Sequence, residues 1–240
     1  MQQQGIDDRT LKLIGEEKLS KLKASKVAVV GLGGVGSICA ISLVMSEIKN
    51  LIIIDDDKVV ESNLNRQIAY ELSDIGKFKV DAMKEKLNRL RNDLNITKVN
   101  KRVSNEFDFS ILNGANYVVD CIDDINAKVL LIKYCFENNI EIITSLGMGN
   151  KLDPTNIKII SLNKTTIDPL AKKLRYNLKQ EGIDTSKVMT AFSDETPMIK
   201  DRVISSMVFV PNTCGLTLAS YVVRKLIGGL WLWHWNTFQK

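Results

Sequence analysis

No two of the four cysteines, Cys39, Cys121, Cys135 and Cys214, form a CxxC pair, and His234 is the sole histidine. A structural Cys/His zinc centre is therefore excluded. Only 4 prolines stand against 14 glycines, too few for long Pro-rich linkers. Aromatic residues make up 6% of the chain and are scattered, which gives no platform for base stacking. Long uncharged apolar runs are missing as well. The most apolar late stretch, 214–235, is interrupted by Arg224 and Lys225 and reads as a buried or docking helix, not a stable membrane span. Residues 1–10 are polar and carry no secretory pattern, so a cytoplasmic protein with reduced thiols is expected. What remains is ordinary soluble composition: 45% hydrophobic, 25% charged, net charge +5. The mild basic excess allows an anionic partner without demanding one.

Strand and helix signals alternate. Residues 8–24 have helical spacing, and 27–30 form a β-branched run ending in Gly31. A helix is expected over 35–45, a strand over 51–54, an amphipathic helix over 77–91 and a weaker strand over 96–103. Then come a strand at 117–119, a helix at 126–137 and a strand at 141–144. Such alternation implies a right-handed parallel sheet covered by helices on both faces. The pattern changes at 146–154, which holds two glycines and a proline. Beyond it lie alternating Ile157, Ile159 and Leu162, a basic helix at 168–180, short runs at 188–192 and 206–210, and a closing helix at 213–227. The expected fold is α/β: a Rossmann-like doubly wound, mostly parallel sheet, extended by antiparallel strands in the C-terminal half. One domain is expected over 1–240, with a nucleotide-binding half at about 1–145 and a substrate-binding half at about 146–240.

Chemistry concentrates in the first half. Gly31, Gly33, Gly34 and Gly36 form a GxGGxG loop directly between a strand and a helix. Glycines let backbone N–H groups approach phosphate, and the helix N-terminus attracts its charge. Asp55 ends the next strand, where a carboxylate can accept from ribose hydroxyls. These features alone would also fit a nicotinamide enzyme. The chain carries more: Asp56 and Asp57, then Ser62, Asn63, Leu64, Asn65, Arg66 and Gln67, then Lys79, then Asp120, Asp123 and Asp124 around another strand end. An Arg and a Lys beside a phosphate loop suit a triphosphate, and a strand-end carboxylate suits Mg²⁺.

That order of motifs resembles the ubiquitin-activating-enzyme-like superfamily, the ThiF and MoeB adenylating enzymes. The resemblance implies ATP bound at Gly34 and its neighbours, ribose on Asp55, and phosphates met by Ser62 to Arg66 and by Lys79. It also implies magnesium on Asp123, and an arginine, Arg9, reaching across a homodimer into the partner's site. The catalytic group implied is thus Arg9, Arg66, Lys79 and Asp123. Asp57 and Gln67 are counted among the nucleotide-binding residues.

Two departures narrow the choice. CxxC pairs are absent, and 185–202 contains no cysteine, whereas carrier-protein-activating relatives often have both. The second half instead resembles the TcdA family, ATP-dependent dehydratases that cyclise threonylcarbamoyladenosine in tRNA. The segments carrying this are 147–154 (GMGNKLDP), 168–172 (DPLAK) and Phe209-Val210-Pro211 followed by Gly215. The implied partners are tRNA and a second copy of the chain, with a sulfur-transfer protein as a further partner and no DNA. Lys172, Lys173, Arg175 and Lys179 on one helix, with Lys164 before it, suit a phosphate backbone. Cys214 lies near a position for a catalytic cysteine but reads more simply as a small buried residue. The cluster Trp231, Trp233, His234 and Trp235 is expected to dock a tail on the core or on a dimer mate. The alternative function is an adenylyltransferase for the C-terminal Gly-Gly of a sulfur-carrier protein.

Overall fold

The computed structural model describes residues 5–199 and 204–228. A sheet of 7 strands in the order β3-β2-β1-β4-β5-β7-β6 forms its centre. The strands are β1 Lys26–Val30, β2 Asn50–Ile54, β3 Asn95–Val99, β4 Tyr117–Asp120, β5 Glu141–Ser145, β6 Ile157–Ser161 and β7 Met189–Ser193. All neighbours pair in parallel except β6 with β7. The KVAVV of β1 and NLIII of β2 are buried along nearly their whole length, because helices cover both faces of a parallel sheet. Polar β3 (NITKV) takes one edge, and the antiparallel β6 closes the other.

The helices are α1 Asp8–Ile14, α2 Glu16–Ala24, α3 Gly36–Met45, α4 Lys79–Leu90, α5 Ile125–Glu137, α6 Pro169–Gln180 and α7 Phe209–Leu226. One core joins Leu43 of α3, Leu87 of α4 and Leu218 of α7 to one face of the sheet. The other joins Leu131 of α5 and Leu174 of α6 to the opposite face. α3 and α7 approach very closely at Gly215, where an added Cβ would stand 2.3 Å from the Val35 carbonyl oxygen.

Several expectations are corrected. The single helix expected over 8–24 is two, broken at Gly15, whose φ of 80° is not helical. The strand expected over 96–103 ends at Val99. The short run at 206–210 is no strand: β6 already occupies the free edge of β7, and α7 begins at Phe209. Pro211 is tolerated in its first turn, where N–H groups lack helical partners anyway. As expected, the C-terminal half extends the sheet with antiparallel strands, β6 pairing antiparallel with β7. The tryptophan cluster lies outside the described residues.

Sheet order fixes where a ligand can sit. The chain runs β1, β2, β3 outward to one side, then crosses to β4 on the other side of β1. A crevice opens at such a reversal, beyond the carboxyl ends of β1 and β4.

Candidate active site

A cleft of about 620 Å³ fills that crevice. Its floor is the glycine loop after β1. Gly31 has φ of 88°, and a Cβ there would meet the Cys121 carbonyl oxygen at 2.8 Å, so no other residue fits. A Cβ on Gly36 would stand 1.8 Å from the Gly31 carbonyl oxygen, which is how tightly α3 closes on the end of β1. Gly36 therefore shapes the loop from behind, while Gly33 and Gly34 line the cleft.

Asp55, just past β2, braces this loop. Its carboxylate accepts the Leu32 amide at 2.6 Å and the Asp57 amide at 2.8 Å. Tyr70, which the sequence reading missed, donates to the Leu32 carbonyl at 2.8 Å from the other side. The Leu32 peptide is thus held at both its polar ends. Burial is the strongest influence on Asp55 and holds its carboxyl above the ordinary range, against the pull of Lys79 and the two amides.

Lys79 opens α4, is nearly buried, and puts Nζ 2.6 Å from Asp57 and 3.9 Å from Asp55. Arg66 lines the cleft, donating to the Ser62 carbonyl and to Asn65 Oδ1, each at 2.9 Å. Ser62 itself is exposed and offers its backbone, not its hydroxyl, to this arrangement. Asn63 and Gln67 both line the cleft. Gln67 is 3% exposed, its Nε2 lies beside Gly33, and its buried Oε1 has no protein partner.

The acids after β4 divide their work. Asp120 is fully buried and accepts from Lys128 Nζ at 3.0 Å and Thr144 Oγ1 at 2.6 Å. Asp124 caps α5, accepting from the Asn126 and Ala127 amides, and pairs with Arg102. The Ala127 amide above all, then Arg102, holds it below the usual carboxylate range. Asp123 is the member left exposed at the cleft. Carboxylate oxygens of Asp55, Asp56 and Asp57 also gather within 4.8 Å of one another. Arg9 is exposed on α1 and does not line the cleft of its own chain.

The opposite wall is the loop after β5, whose motifs were legible but whose roles were not. Gly147 donates its amide to Asp168 at 2.9 Å, and its carbonyl accepts from Lys151 Nζ at 2.9 Å. Lys151 also donates to the Ser193 carbonyl at the end of β7. Burial pulls the Lys151 ammonium down, against Asp168 and Glu195. Asp168 simultaneously caps α6 through the Ala171 amide. On α6 itself, Lys172, Lys173 and Lys179 are exposed, whereas Arg175 turns back to the Leu162 and Thr165 carbonyls. Arg175 thus leaves the basic face that its sequence spacing suggested.

None of the cysteines is poised as a nucleophile. Cys214 is fully buried in α7, and burial pushes its thiol up to about 12. Burial likewise raises Cys39, Cys121 and Cys135.

Residues 7–228 match the ThiF family. The chain belongs to this family. It is 35% identical over 237 residues to the tRNA threonylcarbamoyladenosine dehydratase of Bacillus subtilis, spanning 89% of this chain and 91% of the relative. It superposes with a TM-score of 0.85 on the solved structure of Escherichia coli tRNA N6-threonylcarbamoyladenosine dehydratase, TcdA, in complex with ATP. That match is 33% identical and covers 92% of this chain and 93% of the other. Likeness to the adenylyltransferase and sulfurtransferase UBA4 of Vanderwaltozyma polyspora is 31% but reaches only 57% of this chain and 31% of that protein. Among the described residues, no helix is long and apolar enough to cross a membrane.

Proposed function

We propose that this ThiF-family chain is an ATP-dependent dehydratase that cyclises threonylcarbamoyladenosine in tRNA. The observation that carries the reading is the whole-length likeness to named dehydratases, together with a glycine loop flanked by two cations, Arg66 and Lys79. Two cations beside the glycine loop suit a triphosphate better than the pyrophosphate of a dinucleotide. A thioester route needs an accessible thiolate, and the raised cysteines argue against one.

The cleft fits ATP: a glycine floor open to phosphate, two cations on its sides, and the Gln67 amide beside Gly33. The substrate carboxylate attacks the α-phosphorus and pyrophosphate departs, leaving an acyl-adenylate. A nucleophile of the same threonylcarbamoyl group then attacks the activated carbonyl, the ring closes and AMP leaves with one carboxylate oxygen. Arg66 and Lys79 neutralise the phosphates and align them, which is where the rate acceleration arises. Asp123, the exposed carboxylate at the cleft, would hold magnesium, which would supply further charge neutralisation. The exposed lysines of α6 face tRNA as a phosphate-binding surface.

Pyrophosphate release tests the reading. It should be stimulated by tRNA carrying threonylcarbamoyladenosine and not by a carrier protein ending in Gly-Gly. Stimulation by the carrier alone would replace the dehydratase with the sulfur-carrier adenylyltransferase.

A further inference from the structure

The two walls of the cleft are joined by a hydrogen-bonded path that runs from a phosphate-side cation to the loop after β5. It starts at Arg66, whose Nη1 donates to Asn65 Oδ1 at 2.9 Å. Asn65 Nδ2 in turn donates to the Ser206 carbonyl at 2.8 Å. The next residue, Ser205, pairs twice with Asn150: the Ser205 amide donates to Asn150 Oδ1, and the Asn150 amide donates to the Ser205 carbonyl, both at 2.7 Å. Asn150 also accepts the Met198 amide on its carbonyl at 2.8 Å. One residue thus bonds to both Met198 and Ser205.

Three independent features show that this grip is specific. Asn150 has φ of 60°, a left-handed conformation that Asn adopts more readily than most residues. Its neighbour Gly149 has no room for a Cβ, which would meet Ile204 Cγ2 at 2.1 Å. Ile204 and Ser206 then form part of the cleft lining, as do Gly34 and Arg66. The 204–206 strap is therefore held against the acceptor wall by Asn150 and against the phosphate side by Asn65.

Resting on the proposed function, we infer that Asn150 is a positioning residue for the second half of the reaction. By fixing the strap it keeps the acyl-adenylate shielded from water until the ring-closing nucleophile attacks. An acyl-adenylate has two fates here. Intramolecular attack yields the ring and AMP, while attack by water returns the carboxylate and also yields AMP. The number of AMP molecules released per cyclised nucleoside measures the partition. A residue that merely supports folding would lower both products together and leave that ratio alone.

The test uses the full chain with modified tRNA and Mg-ATP, following AMP and cyclised nucleoside together. Asn150→Gly keeps the left-handed backbone but removes the Oδ1 acceptor, and Asn150→Asp keeps both. Asn150→Gly should raise AMP per ring about five-fold, the scale of losing one hydrogen bond, with the KM for ATP unchanged. Asn150→Asp should stay near the wild-type ratio. A wild-type ratio in Asn150→Gly, or equal uncoupling in both variants, would overturn the inference. Loss of ATP binding in Asn150→Gly would overturn it too, making Asn150 a general structural residue. The wild-type arm separates the two levels: a wild-type enzyme that forms no ring refutes the proposed function itself, whereas a coupled wild type with coupled variants refutes only the role of Asn150.

Discussion

Lys79 Nζ lies 2.6 Å from Asp57 Oδ2 and 3.9 Å from Asp55 Oδ1, so the cation beside the glycine loop is held between two carboxylates. This arrangement holds a nearly buried amine at the cleft wall, where it can exchange a carboxylate for phosphate. Lys79→Met should cut turnover by about 10²-fold or more at saturating ATP, the scale of losing one preorganised charge. Steady-state pyrophosphate release checks this. Turnover within a few-fold of wild type would mean Lys79 only orders the acids.

Gly34 and Gly36, two positions apart in the same loop, should fail differently when substituted. Gly36→Ala sets a Cβ at 1.8 Å from a backbone oxygen that cannot yield, so the loop must open. A loss of roughly 1–3 kcal/mol or more is expected, the range for forced overpacking. Gly34→Ala meets the Pro211 Cβ at 3.2 Å, a contact small shifts relieve, yet the methyl also stands 3.6 Å from Cγ of Arg66, the cation on the cleft wall. Thermal melts with and without ATP should show Gly36→Ala unstable in both, and Gly34→Ala stable but unresponsive to nucleotide.

Asp55 gives a pH signature. Its folded-state carboxyl is raised by burial above the model-compound value of 3.8. Such a group stabilises the fold fully below its unfolded pKa, and that contribution is lost as pH rises through the raised folded value. Nucleotide binding runs the opposite way, because a ribose hydroxyl needs the ionised acceptor. ATP affinity should therefore fall as pH drops through the raised value, sooner than for an exposed aspartate. Asp55→Asn should flatten both trends, measured by melts and calorimetry from mildly acidic to neutral pH. An unchanged slope in the variant would assign the titration elsewhere.

Arg9 stands exposed on α1, outside its own cleft, and is proposed to act across a homodimer. Arg9→Ala and Asp123→Asn should each be inactive alone. Mixed, they should recover activity, since one hybrid site is then intact. Absence of any recovery would leave Arg9 in a structural role or acting within its own chain.

Much of this was legible in the sequence for a physical reason. Strands buried on both faces must be continuously apolar, so 27–30 and 51–54 announce themselves, and the glycine loop is forced by contacts as short as Gly36 to Gly31. Arg66, Lys79 and Asp123 follow from motif order, and the fold places all three on one cleft. On the opposite wall the motifs were legible but the contacts were not. Gly147, Lys151 and Asp168 are brought together only by the pairing of β5 with β7 and by the seat of α6, neither of which leaves a local periodic signal. The exposed appearance of Arg175 misled for the same reason: helical spacing does not reveal that the Thr165 carbonyl lies within its reach.

The most direct test is the mass of the tRNA nucleoside after incubation with this protein and Mg-ATP. Threonylcarbamoyladenosine should lose the mass of one water, with AMP and pyrophosphate appearing together and Asp123→Asn abolishing all three. An unchanged nucleoside mass, with ATP consumed only when a Gly-Gly carrier protein is supplied, would contradict the dehydratase reading.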